Sequence, residues 1–355
     1  MKKPSLITYT AAHFLVDFAC GYILYAMYTE GDIETASVAL LFVLYNMLAF
    51  ATQHLFGAIA DKFKSNGRVF AVIGIVLTAI GLFVGGKSPE LAVCLVGLGN
   101  ACFHVGGGID SLTESRGFTR AGIFVSSGSL GIALGCKFGE KLLLSPTHYI
   151  ALLVFAAVAV WLFCKGERHE MKLPKIPENE KGKITTKAIV SASLPAILIL
   201  LFAVLIRSYA GFAAVRPEST SSLVPLIIAA AAFAGKFAGG VFADLFGARR
   251  VGSAALLLCV PLYYLGADST LFFLAATFLF NIAMPITLVG AARKLPSHEG
   301  FVFGLTTVAL FIGYFINTIF PIESSTAIIL IPLLSLIAAV AVFLTTDDIR
   351  VPVKK

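Results

Sequence analysis

Apolar stretches follow one another along nearly the whole chain, each bounded by charge, glycine or proline. A helix rising 1.5 Å per residue needs about 20 such residues to cross a hydrocarbon core of about 30 Å. The runs predict helices near residues 5–28, 36–60, 69–86, 90–111, 120–141, 147–164, 188–212, 222–244, 251–266, 270–292, 299–320 and 324–344. Twelve transmembrane helices leave both ends of the chain on one side.

Composition agrees. The 355 residues are 58% hydrophobic and only 13% charged, with a mean hydropathy of +0.91, far from a soluble domain. The net charge of +7 does not indicate nucleic acid, because the basic residues sit in short segments between apolar runs. Placed on the cytoplasmic side, segments 1–4, 61–68, 112–120, 165–187, 245–250, 293–298 and 345–355 hold 21 of the 27 lysines and arginines. The positive-inside rule therefore predicts a multi-pass plasma (inner) membrane protein with both termini cytoplasmic. Residues 165–187, with Pro174 and Pro177, read as a cytoplasmic linker between an N-terminal six-helix bundle (1–164) and a C-terminal one (188–355). Six cysteines lie inside apolar runs without metal-ligand spacing. Met1-Lys2-Lys3 opens a retained first helix, since the apolar run lacks a cleavage site and contains His13 and Asp17.

The halves repeat. Gly57-x-x-x-Asp61 reappears as Gly240-x-x-x-Asp244 at an offset of 183, Asn100 as Asn281 at 181, and Gly122 and Gly131 as Gly304 and Gly313 at 182. In the first helix of each half Asp17-x-x-x-Gly21 stands beside Arg207-x-x-x-Gly211 at 190, the loop after the first helix being longer. The expected architecture is thus an all-α integral membrane protein of two pseudosymmetric six-helix bundles, with the site between them.

The loop Gly57 to Arg68, repeated as Gly240 to Arg250, resembles the signature loop of the major facilitator superfamily; Leu245 and Lys64 are its departures. The resemblance covers nearly the whole chain and implies the major facilitator fold. It also implies a cytoplasmic latch of Gly57, Asp61, Arg68, Gly240, Asp244, Gly247, Arg249 and Arg250, in which glycines allow close helix approach and Asp and Arg pair across that face. Within the superfamily, His13-Phe-Leu-Val-Asp17, Asn100-Ala-Cys-Phe-His104 and Leu205-Ile-Arg207-Ser208 look like the fosmidomycin-resistance type of drug exporter. Gly128-x-x-Gly131-x-x-x-Gly135-Cys136 resembles the antiporter motif, with Cys136 in the place of proline.

Charged or strongly polar groups inside a bilayer cost several kcal/mol and mark a site by default. His13 and Asp17 share one face of the first helix, and Asn100 and His104 one face of the fourth. The resemblance brings these helices to a central chamber, gathering His13, Asp17, Asn100, His104, Arg207 and Asn281 as a substrate and proton-coupling set. There a step that makes or breaks an Asp17–Arg207 pair can couple proton movement to cavity opening, or Arg207 can instead hold an anionic substrate group bidentately and release Asp17 for protonation. Secondary cavity candidates are Lys137, Glu140, Lys236 and Asn317; Lys137 and Glu140 can simply pair with each other, and Lys236 can support the latch instead. Gly106-Gly107-Gly108 signals close packing or a local break.

The expected function is secondary active transport of a small organic solute, anionic or amphipathic, by alternating access. Proton coupling is expected, with export preferred over import. A passive uniporter or lipid translocator without proton coupling is the alternative. No catalytic motif occurs, so no enzyme is expected. No cofactor or metal is called for, and the partners are a small-molecule substrate, protons and the lipid bilayer, not nucleic acid, with the chain monomeric.

Overall fold

A computed structural model describes residues 3–30, 35–64, 66–113, 117–164, 186–218 and 221–347. All regular structure among them is helical: α1 (Lys3–Glu30), α2 (Thr35–Asn46), a π-turn (Met47–Ala51), α3 (Gln53–Lys62), α4 (Gly67–Val84), α5 (Pro89–Thr113), α6 (Thr119–Glu140), α7 (Pro146–Phe163), α8 (Thr186–Ala213), α9 (Val224–Phe246), α10 (Ala248–Gly266), α11 (Thr270–Ala292), α12 (Glu299–Ile319) and α13 (Ser324–Thr345). The π-turn joins α2 and α3 into one span, so the twelve expected crossings are present, each within three residues of its predicted bounds. Eleven are long and apolar enough to cross a membrane; the twelfth, α10, opens on Arg249 and Arg250. The linker expected at 165–187 lies outside the described residues except for its last two.

Helices dominate because backbone N–H and C=O groups in hydrocarbon must be satisfied within the segment. Large apolar side chains such as Phe155, Phe163, Ile329 and Phe343 point outward, as lipid requires. Inward faces are lined by small residues that let backbones meet. In α6 the stripe Gly128, Gly131, Gly135 and Gly139 lies against α1, where a Cβ at Gly131 or Gly135 would stand 2.4 or 2.1 Å from the carbonyl oxygen of Phe14 or Phe18. Gly106, Gly107 and Gly108 do not break α5; they admit the Ala71 backbone and the rings of Phe124 and Phe303.

The packing repeats with the sequence. In the first half α1 lies against α6, and α4 against α5 and α7; in the second α8 lies against α12, and α10 against α11 and α13. The halves meet chiefly through α3 with α12 and α6 with α9, with smaller contacts of α12 with α5 and the π-turn and of α11 with α6. The first two are symmetric counterparts, and within the halves α1 meets α5 as α8 meets α11.

Candidate functional site

The polar centre of the first half forms where α1, α5 and α6 meet. His13 Nε2 lies 2.8 Å from His104 Nε2 and 3.2 Å from Asp17 Oδ2, while His104 Nε2 is 3.7 Å from Asp17 Oδ1. Asn100 Nδ2 donates to Asp17 Oδ1 at 2.7 Å. His13 Nδ1 meets the Phe124 carbonyl at 2.7 Å, and His104 Nδ1 meets the Asn100 carbonyl at 2.9 Å. Carbonyl oxygens only accept, so both Nδ1 atoms carry the hydrogen and both Nε2 lone pairs face inward beside a carboxylate.

The surroundings shape this cluster. The His13 ring stacks on Phe124 at 4.6 Å, and Phe103 lies 5.9 Å away. Gly128 closes the third side: a Cβ there would fall 2.2 Å from Asp17 Oδ2 and 2.5 Å from His13 Nε2. Reading the sequence for charge alone overlooks Gly128 as part of the site; the glycine stripe of α6 is its signal.

The second half is different. Arg207, on α8, is buried, with 6% exposure, and has no carboxylate partner among the described residues. Its Nη2 donates to the Phe280 carbonyl at 2.8 Å, its guanidinium lies 5.0 Å from the Phe280 ring centroid, and Nε has no partner. Asp17 and Arg207 do not pair in this structure, where Asn100 and the two histidines surround Asp17. Asn281 turns back to donate to the Thr277 carbonyl at 2.8 Å and does not join the cluster, and Asn317 makes no bond to it. Lys236, reaching from α9, bonds Ser129 of α6 at 2.5 Å across the halves, and its charge is felt by Asp17, His104 and Arg207. Lys137 and Glu140 pair with each other at 2.8 Å and stay outside the centre.

At one end of the bundle the signature aspartates cross between halves. Asp61 accepts from the Gly300 and Phe301 N–H groups at 3.1 and 2.7 Å, at the start of α12. Asp244 accepts from the Phe118 and Thr119 N–H groups, both at 2.8 Å, and from the Thr119 hydroxyl at 2.6 Å, at the start of α6. Each carboxylate thus sits on the positive end of a helix in the opposite half. Gly57 makes the approach possible: a Cβ there would stand 2.0 Å from the Gly300 carbonyl oxygen, and one at Gly240 would stand 2.7 Å from that of Phe118. Gly247, at φ 98°, ends α9 in a backbone conformation that other residues rarely adopt. Arg68 departs from the expected cross-half pairing: it bonds the Trp161 carbonyl at 3.1 Å and lies over that ring at 4.3 Å, within its own half. Arg249 bonds the Thr346 carbonyl at 2.8 Å and also turns toward its own half, whereas Arg250 borders a surface hollow with Leu245 and Phe246.

Two repeated helical halves, each with buried charged or polar groups among apolar spans, are the build of a membrane carrier. Residues 6–317 match the model of the Major Facilitator Superfamily, and the chain belongs to that family. It is a multi-pass membrane transporter of small molecules, in a family of carriers that are not enzymes. Two solved structures share the fold at 14% identity, each covering 96% of this chain and 98% of its own. One is a Major Facilitator Superfamily transporter, FucP, in the outward conformation, with a TM-score of 0.70. The other is a single-site variant of the E. coli Fucose:proton symporter FucP, with a TM-score of 0.67. A search of curated proteins found no match.

Proposed function

We propose that the chain is a proton-coupled secondary transporter of the plasma membrane that exports a small organic solute bearing an acidic group. In this reading the His13–Asp17–His104 cluster holds the coupling proton, and Arg207, with Lys236 beside it, receives the solute's anionic group. The observation that carries it is the contrast between the His13–Asp17–His104 cluster and a buried arginine that has no carboxylate partner among the described residues. A guanidinium left unpaired in a low dielectric is costly and is relieved by an anion that can accept from Nε and Nη together. Export follows the resemblance of the α1, α5 and α8 motifs to the fosmidomycin-resistance type.

Both termini and the Asp61/Asp244 end are cytoplasmic in this proposal, with the halves spanning 1–164 and 188–355 and the chain acting as a monomer. The two aspartates then hold the cytoplasmic side shut, and alternating access requires both to leave their helix starts. One proton moving down a potential of 100 mV supplies about 2.3 kcal/mol, enough for a solute gradient of more than tenfold.

The test uses purified protein in liposomes loaded with a pH-sensitive dye and a panel of organic acids. Solute-evoked proton flux should appear in the unmodified protein and vanish in Asp17→Asn. Solute movement that is indifferent to pH and survives Asp17→Asn would establish passive uniport instead.

A further inference from the structure

His13, Asp17 and His104 have the makings of more than a proton site. Their ligating atoms all lie within 4.8 Å of one another and converge from α1 and α5 on one point. The 2.8 Å between the imidazole nitrogens and the 3.2 Å from His13 Nε2 to Asp17 Oδ2 lie near the ligand–ligand edges of a first-row metal ion, about 2.9 Å in octahedral and 3.4 Å in tetrahedral geometry for bonds of about 2.0–2.1 Å, and His104 Nε2 is 3.7 Å from the other carboxylate oxygen, Oδ1. Each histidine gives its other ring N–H to a backbone carbonyl, the outer-sphere bond that fixes the tautomer of a metal-ligating imidazole. Asn100 does the same for the carboxylate. The Phe103 and Phe124 rings wall the site, and Gly128 leaves open the space that any side chain would fill.

We propose that His13 Nε2, His104 Nε2 and an Asp17 oxygen form a three-ligand site for a divalent transition-metal ion of the zinc, cobalt or nickel class, with its remaining positions open. Two nitrogen donors and one oxygen select such ions over magnesium and calcium, which take oxygen ligands. The ion binds the Nε2 lone pairs, so it and a proton on either Nε2 are exclusive occupants. Lys236 is the neighbouring positive charge and opposes the ion. This inference rests on the ligand geometry alone and stands whether or not transport is proton-coupled.

The experiment titrates cobalt(II) chloride into the purified, detergent-solubilised full chain, followed by visible absorption and by X-ray absorption of the bound metal. One ion per chain is expected, with two imidazoles in its shell. His104→Gln should weaken binding by at least about tenfold, on the scale of losing a ligand or its support. Lys236→Met should tighten it, a gain that general damage to the fold would not produce, and His148→Gln, at a distant exposed turn, should leave it unchanged. Absence of stoichiometric binding to the unmodified chain, a shell without two imidazoles, or undiminished affinity in His104→Gln would overturn the proposal. The X-ray absorption measurement needs no variant, so it decides the matter even where a substitution prevents folding.

Discussion

At the Asp61/Asp244 end the two halves do the same thing with the same residues. Each aspartate crosses to the first N–H groups of a helix in the other half, beside a glycine that lets the backbones touch. Midway along the helices the copies part company. α1 carries Asp17, bonded to Asn100 and held beside two histidines, where α8 carries Arg207, with one backbone carbonyl, one ring face and an unbonded Nε. Duplication preserved the parts that hold the halves together and let the chemistry between them diverge. A mechanism that rocks two similar bodies needs matched contacts at their shared edge, whereas discrimination among solutes needs a centre whose two sides differ.

The sharpest way to break this contrast is to remove each central charge in turn. Asp17→Leu leaves the Asn100 amide and the His13 and His104 imidazoles without their carboxylate, and a buried polar group left unsatisfied costs about 1–3 kcal/mol. Its unfolding midpoint in detergent should fall steeply. Arg207→Met removes an uncompensated buried charge, so its midpoint should rise while solute binding is lost. Equal signs for the two would refute the asymmetry of the centre.

At the other end the likeness itself is open to test, since Asp244 has one more donor than Asp61, the Thr119 hydroxyl. Hydrogen bonds to charged groups contribute about 1.5–3 kcal/mol each. Asp244→Asn should therefore shift spin-label distance distributions between the halves toward separation more than Asp61→Asn does. Arg207→Lys comes next: a point charge replaces a planar fork, and the solute concentration for half-maximal transport should rise about tenfold. The smallest effect belongs to Lys137→Met, at a partly exposed pair, where neither transport nor unfolding should change measurably.

Much of this was legible in the sequence because a bilayer permits so few solutions. Hydropathy located every crossing, and Asp61 and Asp244 announced themselves through a repeated loop. The spacing of His13 to Asp17 and of Asn100 to His104 anticipated two faces that the structure brings together. What spacing does not encode is contact between halves. Asp17 and Arg207 occupy equivalent positions, yet equivalence under a pseudo-twofold is not adjacency, and Asn100 is nearer. Arg68 likewise found the Trp161 ring in its own half, a stacking choice that a loop motif cannot specify. Gly128 escaped notice as a site residue because its contribution is the absence of a side chain.

The π-turn at Met47–Ala51 bears on how the two copies should be aligned. Between Asp17 and Gly57 the chain has seven residues more than between Arg207 and Gly240, as the change of offset from 190 to 183 records. The counterpart span, α9, runs unbroken from Val224 to Phe246. A π-turn closes i→i+5 bonds and so stores one extra residue within the helix. One of the seven insertions is thus lodged in the membrane, not in the loop. With 3.6 residues per turn, an added residue rotates everything before it by about 100°. Residues 37–46 therefore present a different face from the one that copying the second half onto the first would assign, and homology transferred across the repeat loses its register upstream of Met47.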